Sequence, residues 1–279
     1  MNNHSTMNES SLVGFTLLVQ MSVGMFLCLG LGQLWADGRV GAETARQLTS
    51  PGFLAMLPLL AAALLVSLLH LGTPLNAWRS VANLRSSWLS REILFTLLFT
   101  LFAALFAVLH WQAWGAGWLR GLVWWLSAVL GGLAWYAMLR IYLLRTVPGW
   151  NTWMTPVMYA ISLLLLGGLG AGAAWALNPA ARGELLRLPL AAVGFRTLAL
   201  LAVQAVLAVL RARSSQEPWP LVLHMSLLVF ALVIATLLAY QALVFEFSGR
   251  NAALSLLACA AFLAALAEQA VGRWLFYRM

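Results

Sequence analysis

The chain has 279 residues, of which 63% are apolar and 9% are charged, and it carries a formal net charge of +8. A soluble globular domain has about a quarter of its residues charged, so this composition excludes that class and indicates an integral membrane protein. The positive charge does not indicate a nucleic-acid partner. All 16 basic residues are arginines scattered through short segments between apolar runs, where arginines anchor a protein in the membrane interface.

Apolar runs of about 20 residues predict transmembrane helices, because a helix of that length crosses a hydrocarbon core about 30 Å thick. The runs lack the alternating pattern of a membrane β-barrel. We therefore predict an all-α polytopic bundle forming one transmembrane domain, residues 1–279. Its eight helices are predicted at about 12–35, 53–70, 92–111, 119–142, 153–177, 188–210, 220–247 and 251–271. Glycine and proline pairs such as Pro51-Gly52 are expected to separate them.

The segment 74–90 connects the second and third predicted spans. Its apolar residues follow a roughly helical period with Arg79 and Arg85 between them, which predicts a short amphipathic helix in the membrane interface. The alternative is a plain polar loop. No connection exceeds about 21 residues, so no extramembrane domain is predicted, and the catalytic centre of any larger assembly must belong to another protein.

Two ionisable residues, one before and one after this segment, flank it in the sequence. We define side A as the membrane face where the second span ends and the third begins, and side B as the opposite face. His70 ends the second span and Glu92 begins the third, so an imidazole and a carboxylate lie at side A. Ionisable side chains at membrane depth are costly and mark routes for protons, ions or substrates. The pair predicts proton-coupled chemistry on a lipid-soluble molecule.

More polar groups belong to side A by the alternation of spans. They are Arg140 and Tyr142 in the fourth span, His224 in the seventh, and Glu268 and Arg273 in the eighth. His224 is predicted to be a hydrogen-bonded core histidine more readily than a ligand, whereas an interfacial ion pair is an equally good interpretation of Glu268 with Arg273. Near side B, His110 and Glu246 are expected to face the interface.

A quinol site requires side chains of these types. Quinol oxidation releases two protons and two electrons, and a neutral histidine can accept a proton from the ring hydroxyl. A carboxylate can then bind the imidazole or pass the proton to water, and an arginine or tyrosine can hold the second ring oxygen. The sequence has only two cysteines, Cys28 and Cys259, too few for an iron–sulfur cluster. The electrons must therefore leave for a redox centre elsewhere.

Three other interpretations stay open at this point. His70 and His224 share side A, so one b-type haem is geometrically allowed, whereas His110 at the other face leaves a two-haem path without ligands. A non-redox transporter is the second interpretation, although transporters place broken helices at the middle of the membrane. The third is a purely structural anchor without a quinone site.

Several short motifs occur in a characteristic order along the sequence. They are Leu69-His70-Leu71-Gly72-Thr73-Pro74 followed by Glu92, then Arg140-Ile141-Tyr142, Thr146-Val147-Pro148-Gly149-Trp150, Trp153-Met154-Thr155-Pro156, and the terminal Glu268, Gly272-Arg273 and Phe276-Tyr277. With these motifs in this order, the sequence resembles the membrane anchor subunit of bacterial dimethyl sulfoxide reductase. The similarity extends over essentially the whole length.

The resemblance implies a haem-free multi-pass anchor in the bacterial inner membrane that binds and oxidises menaquinol. Electrons would pass to an iron–sulfur subunit with four 4Fe–4S clusters, and from there to a molybdopterin subunit that reduces sulfoxides or N-oxides. The family's quinol-site histidine and glutamate correspond to His70 and Glu92. Related anchors serve selenate or tetrathionate reductases.

Further contacts to the quinol head group are expected from residues near side A. Three of them, Arg140, Tyr142 and Glu268, match pattern positions of the family, whereas Arg79 belongs to a segment that differs from it. We predict that these four residues surround the head group.

Overall fold

The computed structural model describes residues 3–69, 83–143, 147–212, 218–244 and 252–277. These ranges contain no strand and eight α-helices: α1 (Asn3–Val40), α2 (Ala42–Leu69), α3 (Trp88–Trp111), α4 (Gly117–Tyr142), α5 (Met154–Leu177), α6 (Glu184–Ala212), α7 (Pro218–Val244) and α8 (Ala252–Tyr277). Each helix is long and apolar enough to cross a membrane. The predicted all-α bundle of eight spans is therefore confirmed.

Several helices extend beyond the apolar runs that predicted them. The second span was predicted to begin at residue 53, but α2 begins at Ala42, directly after Gly41 ends α1. Gly41 has a φ of 81°, the left-handed conformation in which glycine commonly terminates a helix. At the other end of the sequence, α8 continues to Tyr277, six residues beyond its predicted end at 271, and this extension brings Arg273 into the bundle.

The predicted break at Pro51-Gly52 is wrong, because Pro51 lies inside α2. A proline has no N–H group, so the carbonyl four residues earlier loses its helical hydrogen bond. That carbonyl belongs to Gln47, and Nδ2 of Asn178 donates to it at 3.0 Å. A side chain from the end of α5 thus replaces the missing donor, which is how membrane helices tolerate proline.

A second proline is accommodated in the same way. Pro189 lies inside α6, and the carbonyl four residues before it belongs to Leu185. The indole Nε1 of Trp175 donates to this carbonyl at 2.7 Å. Both replacement donors come from the side B end of α5, so this end of the central helix supports α2 and α6 together.

The predicted amphipathic segment is described only in part. Arg79 and the other residues of 74–82 lie outside the described residues. Residues 83–86 form a turn, Ser87 caps the next helix, and Trp88 begins α3. The last residues of the segment therefore belong to a turn and a transmembrane helix.

The helices α1 and α5 form the centre of the bundle, and they pack against each other as well as against several outer helices. Their closest approach is at Gly24 and Gly167, where a Cβ on Gly24 would lie 2.0 Å from the Leu163 carbonyl oxygen. Small residues allow such contact between membrane helices. One apolar cluster lies mainly among α1 to α4, and a second among α1, α5, α6, α7 and α8.

Candidate functional site at side A

The structure describes four of the six predicted site residues, whereas His70 and Arg79 lie outside the described residues. The four are Glu92 near the start of α3, Arg140 and Tyr142 in the last turn of α4, and Glu268 in α8. Glu92, Arg140 and Tyr142 belong to helix ends at side A, whereas Glu268 lies nine residues before the end of α8. They differ, however, in burial and in their partners.

Glu92 is buried, with 4% of its surface exposed. Ser87 caps α3 by accepting a hydrogen bond from the Ser90 backbone N–H at 3.2 Å, which is a standard way to begin a helix. The cap places Glu92 on the buried face of α3, among the helices. The Tyr142 and Tyr159 side chains are buried as well, with 3% and 1% of their surface exposed.

Arg140 lies at the rim of this site and is exposed. Its guanidinium carbon is 5.0 Å from the centre of the Trp88 ring, and that of Arg91 is 4.2 Å from the same ring. Two cations therefore contact one aromatic ring at the start of α3, a favourable cation–π arrangement. They give the rim near Glu92 a positive charge.

Three phenols from three helices, α4, α5 and α8, meet at side A. The Tyr277 hydroxyl donates to the Tyr142 hydroxyl at 3.0 Å, and it lies 3.5 Å from the Tyr159 hydroxyl and 3.4 Å from Thr16 Oγ1. Trp150 closes the cluster, because its indole N–H donates to the Phe276 carbonyl at 3.0 Å. We refer to Tyr142, Tyr159 and Tyr277 as the phenol cluster.

Arg273 connects the phenol cluster to the interior of the bundle. Its guanidinium carbon is 3.8 Å from the centre of the Tyr159 ring. Its Nη2 donates to Gln20 Oε1 and to Ser162 Oγ, both at 2.9 Å. Only 2% of Arg273 is exposed, so this cation is held inside the membrane by neutral oxygens and an aromatic face.

Glu268 is completely buried and lies at the other end of the same set of contacts. Ser162 Oγ donates to Gln269 Oε1 at 2.5 Å, and Gln269 Nε2 donates to Glu268 Oε2 at 2.7 Å. The second carboxylate oxygen is 2.7 Å from His224 Nε2 and accepts from Gln204 Nε2 at 3.3 Å. A connected set of polar side chains, the polar network, thus extends from the phenol cluster to His224.

The structure corrects one interpretation of the eighth span. Glu268 and Arg273 are not an interfacial pair, because both are buried and no ion pair joins them among the described residues. They are connected through Gln269 and Ser162. His224 is a hydrogen-bonded core histidine, and its Nε2 would have to leave Glu268 in order to bind a haem iron.

His110 also lies elsewhere than expected. It was predicted to face the side B interface, but only 5% of it is exposed. Its Nε2 lies 3.0 Å from Thr49 Oγ1, and its ring stacks on Phe106. The residue is enclosed because α2 begins earlier than predicted and brings Thr49 to the side B end of α3. Glu246 lies outside the described residues.

Fold and site together define a polytopic membrane protein with a buried polar network at one membrane face. A family model described as DMSO reductase anchor subunit (DmsC) matches residues 1–279. The protein therefore belongs to the family of DMSO reductase anchor subunits, and the resemblance predicted from its motifs is confirmed.

Individual relatives are more distant. The protein is 30% identical over 171 residues to the YnfH chain of an anaerobic dimethyl sulfoxide reductase of Escherichia coli, covering 60% of this sequence and 57% of that protein. It is 29% identical over 206 residues to a chain of the anaerobic dimethyl sulfoxide reductase of Haemophilus influenzae, covering 70% and 69%. It is also similar to a subunit of the sulfite dehydrogenase of Allochromatium vinosum, 38% identical over 104 residues, covering 37% and 32%. The matched region thus spans from a third to about two thirds of these relatives.

Proposed function

We propose that this anchor subunit binds menaquinol at side A, oxidises it, and passes its electrons to an iron–sulfur partner in anaerobic respiration. The observation that carries the proposal is the Glu92 carboxylate, which is buried near the side A start of α3. His70 follows Leu69, the last residue of α2, at the same membrane face. A buried carboxylate at membrane depth is a functional candidate by default, since its burial is costly.

The proposed reaction converts menaquinol to menaquinone with loss of two protons and two electrons. His70 accepts a proton from a ring hydroxyl, and Glu92 orients the imidazole or passes the proton to water. The two electrons leave for the nearest cluster of the partner, and menaquinone returns to the lipid. No group of this protein has to store an electron in this scheme.

The head group is proposed to lie between the α3 and α4 ends. In this arrangement Arg79 and Arg140 supply positive charge at the rim, and Tyr142 supplies a hydroxyl whose orientation is held by Tyr277. Glu268 is connected to Tyr142 only through several intervening side chains of the polar network. We therefore propose that Glu268 acts on the head group electrostatically from behind the phenol cluster.

The proposed partners are an iron–sulfur subunit with four clusters and a molybdopterin subunit that carries out the terminal reaction. The proposed docking surface is the arginine rim of side A, which includes the half-buried Arg91 and the exposed Arg140. The name of the Allochromatium vinosum relative is that of a dehydrogenase. Quinol oxidation and quinone reduction should therefore both be assayed.

The test measures quinol oxidation by the complex purified with its native partners. Replacing His70 by alanine or Glu92 by glutamine should lower the rate roughly 100-fold or more, since each removes a group that handles the proton. The matched control is Glu184→Gln, which changes an exposed carboxylate in the first turn of α6 at side B. It should leave the rate unchanged.

Binding is measured separately by the fluorescence quenching of a menaquinol analogue. A non-redox transporter or a purely structural anchor would show neither saturable quenching nor an effect of the two substitutions. If His70→Ala leaves quinol oxidation intact in the assembled complex, the proton-acceptor role is refuted. A Soret band in the purified protein would favour the haem interpretation instead.

A further inference from the structure

A cavity lies at side B, at the opposite ends of the helices from the proposed quinol site. It has a volume of about 380 Å³ and is formed by the side B ends of α1, α2, α3 and α4. This size is within the usual range for sites that bind organic ligands. Neither the family membership nor the proposed quinol chemistry assigns a role to it.

The cavity faces lipid on one side and has aromatic walls. Phe53, Phe106 and Trp124 line its interior. Leu34 and Trp125 also line it and are 63% and 64% exposed, so they lie where the bundle meets the lipid chains. A ligand would enter this cavity from the membrane. Its apolar part would lie between α1 and α4.

The floor of the cavity is hydrogen-bonded and offers little free charge. His110 contacts Thr49, whose hydroxyl donates to Gln33 Oε1 at 2.5 Å. Arg46 forms a two-point ion pair with Glu43 and donates to the carbonyls of His110 and Trp111 at the end of α3. The charge of Arg46 is thereby balanced within the protein.

Two opposite charges remain on the cavity wall. Asp37 accepts one hydrogen bond from Gln33 at 3.0 Å, and Arg120 donates one to the Gly115 carbonyl at 3.2 Å. They do not form an ion pair with each other in the described part of the sequence. Arg120 stands in the first turn of α4, whose capping residue Ala116 provides no side-chain acceptor, so helix N–H groups add positive potential beside it.

We propose that this cavity binds the head group of a zwitterionic aminophospholipid such as phosphatidylethanolamine. The lipid phosphate would lie against Arg120 and the first turn of α4, and the ammonium group against Asp37. A guanidinium beside a helix N-terminus is suited to phosphate, and a carboxylate is suited to an ammonium donor. The acyl chains would cover the apolar wall between Leu34 and Trp125.

The charge pattern distinguishes this lipid from others at the same depth. Phosphatidylglycerol has the phosphate but no cation for Asp37. Phosphatidylcholine has the cation but no N–H group that could donate a hydrogen bond to a carboxylate. The proposal therefore predicts a preference among lipids as well as binding.

The test uses native mass spectrometry of the full-length protein, extracted in mild detergent and exchanged with phosphatidylethanolamine, phosphatidylglycerol or phosphatidylcholine. Wild-type protein should retain one phosphatidylethanolamine preferentially. Arg120→Gln should weaken retention of all three lipids roughly fivefold, the usual contribution of one arginine to an anionic lipid group. Asp37→Asn should abolish the preference for phosphatidylethanolamine over phosphatidylcholine while leaving the phosphate contact intact.

Arg182→Gln is the matched control, since Arg182 is an exposed side B arginine that does not line the cavity. It should retain lipids as wild type does. Equal retention of all three lipids by wild type, or wild-type retention by Arg120→Gln, would overturn the proposal. So would displacement of the retained lipid by a menaquinone analogue, which would mark the cavity as a second quinone site. Thermal melting of each variant verifies that it is folded.

Discussion

Glu268 shows how single residues make an ionisable side chain tolerable inside this membrane protein. Burial of an unpaired carboxylate is strongly unfavourable. Here both carboxylate oxygens have partners, because His224 and Gln204 contact one oxygen and Gln269 donates to the other. The carboxylate is therefore held by three side chains from α6, α7 and α8. Each of these side chains in turn has the carboxylate as a hydrogen-bond partner.

Replacing Glu268 by alanine should destabilise the protein by about 3 kcal/mol or more, because removing one partner leaves buried polar groups unpaired. Glu268→Gln should be milder, since the amide keeps part of the hydrogen bonding. The measurement is thermal melting of the detergent-extracted protein followed by tryptophan fluorescence. Glu43→Ala is the control: Glu43 is an exposed residue paired with Arg46, and its loss should change the melting temperature little. Equal melting of Glu268→Ala and wild type would refute the structural role of the network.

Some residues of the candidate site and of the polar network were predictable and others were not. Glu92, Glu268 and Arg273 are recognisable as ionisable residues in or beside apolar spans, where they are rare. Gln20 and Ser162 gave no comparable signal, because neutral polar residues are common enough in such spans. Their role depends on Arg273, which is 253 and 111 positions away in the sequence.

At the scale of helices, Pro51 and Pro189 are supported by side chains from the side B end of α5. Proline and glycine together predicted a helix end at Pro51. The helix continues because Asn178 donates to the carbonyls of Gln47 and Leu48 at 3.0 and 2.9 Å. A local rule therefore failed where a partner distant in sequence supplied the missing hydrogen bond.

Asn178→Ala should consequently destabilise α2 and lower the stability by about 1–3 kcal/mol, the usual effect of leaving buried backbone acceptors unpaired. Thermal melting measures the loss, and amide hydrogen exchange should show faster exchange around residues 47–52 than in wild type. The control is Asn151→Ala, because Asn151 is an exposed asparagine at the other membrane face. Unchanged exchange in α2 would mean that the helix does not depend on this side chain.

Helix number and helix limits were not equally predictable. Eight long apolar runs predict eight spans, because the hydrocarbon core dictates their length. The limits differ because helices continue into the interface, where polar residues are tolerated. That extension placed Thr49 beside His110 and Arg273 inside the bundle, which the apolar runs alone did not indicate.

For the whole molecule, the alternation of eight helices places two sets of helix ends at opposite faces. The ends with Glu92, Tyr142 and Tyr277 lie at side A, whereas the cavity with Asp37 and Arg120 lies at side B. Large apolar residues cover the outer surface, for example Leu101, Trp125, Val206, Phe230 and Leu263. This surface is what a lipid-embedded bundle requires.

This arrangement predicts the labelling of single cysteines by a membrane-impermeant maleimide in a Cys28→Ser, Cys259→Ser background. Asn83→Cys and Asn151→Cys should react from one side of the membrane, and Glu43→Cys and Arg182→Cys from the other, since an even number of helices separates members of each pair. All four positions are exposed. Labelling of Asn83→Cys and Asn151→Cys from opposite sides would contradict the eight-helix topology.

The sequence by itself determined the class of protein, the number of spans and the face where Glu92, Arg140 and Tyr142 lie, because hydropathy and alternation of spans act locally along the polypeptide. The tertiary structure decided which polar groups meet. The polar network, the support of Pro51 by Asn178 and the side B cavity each join residues from different helices. These contacts depend on how each helix is rotated about its axis and packed against its neighbours. The periodicity of a single helix does not specify either property.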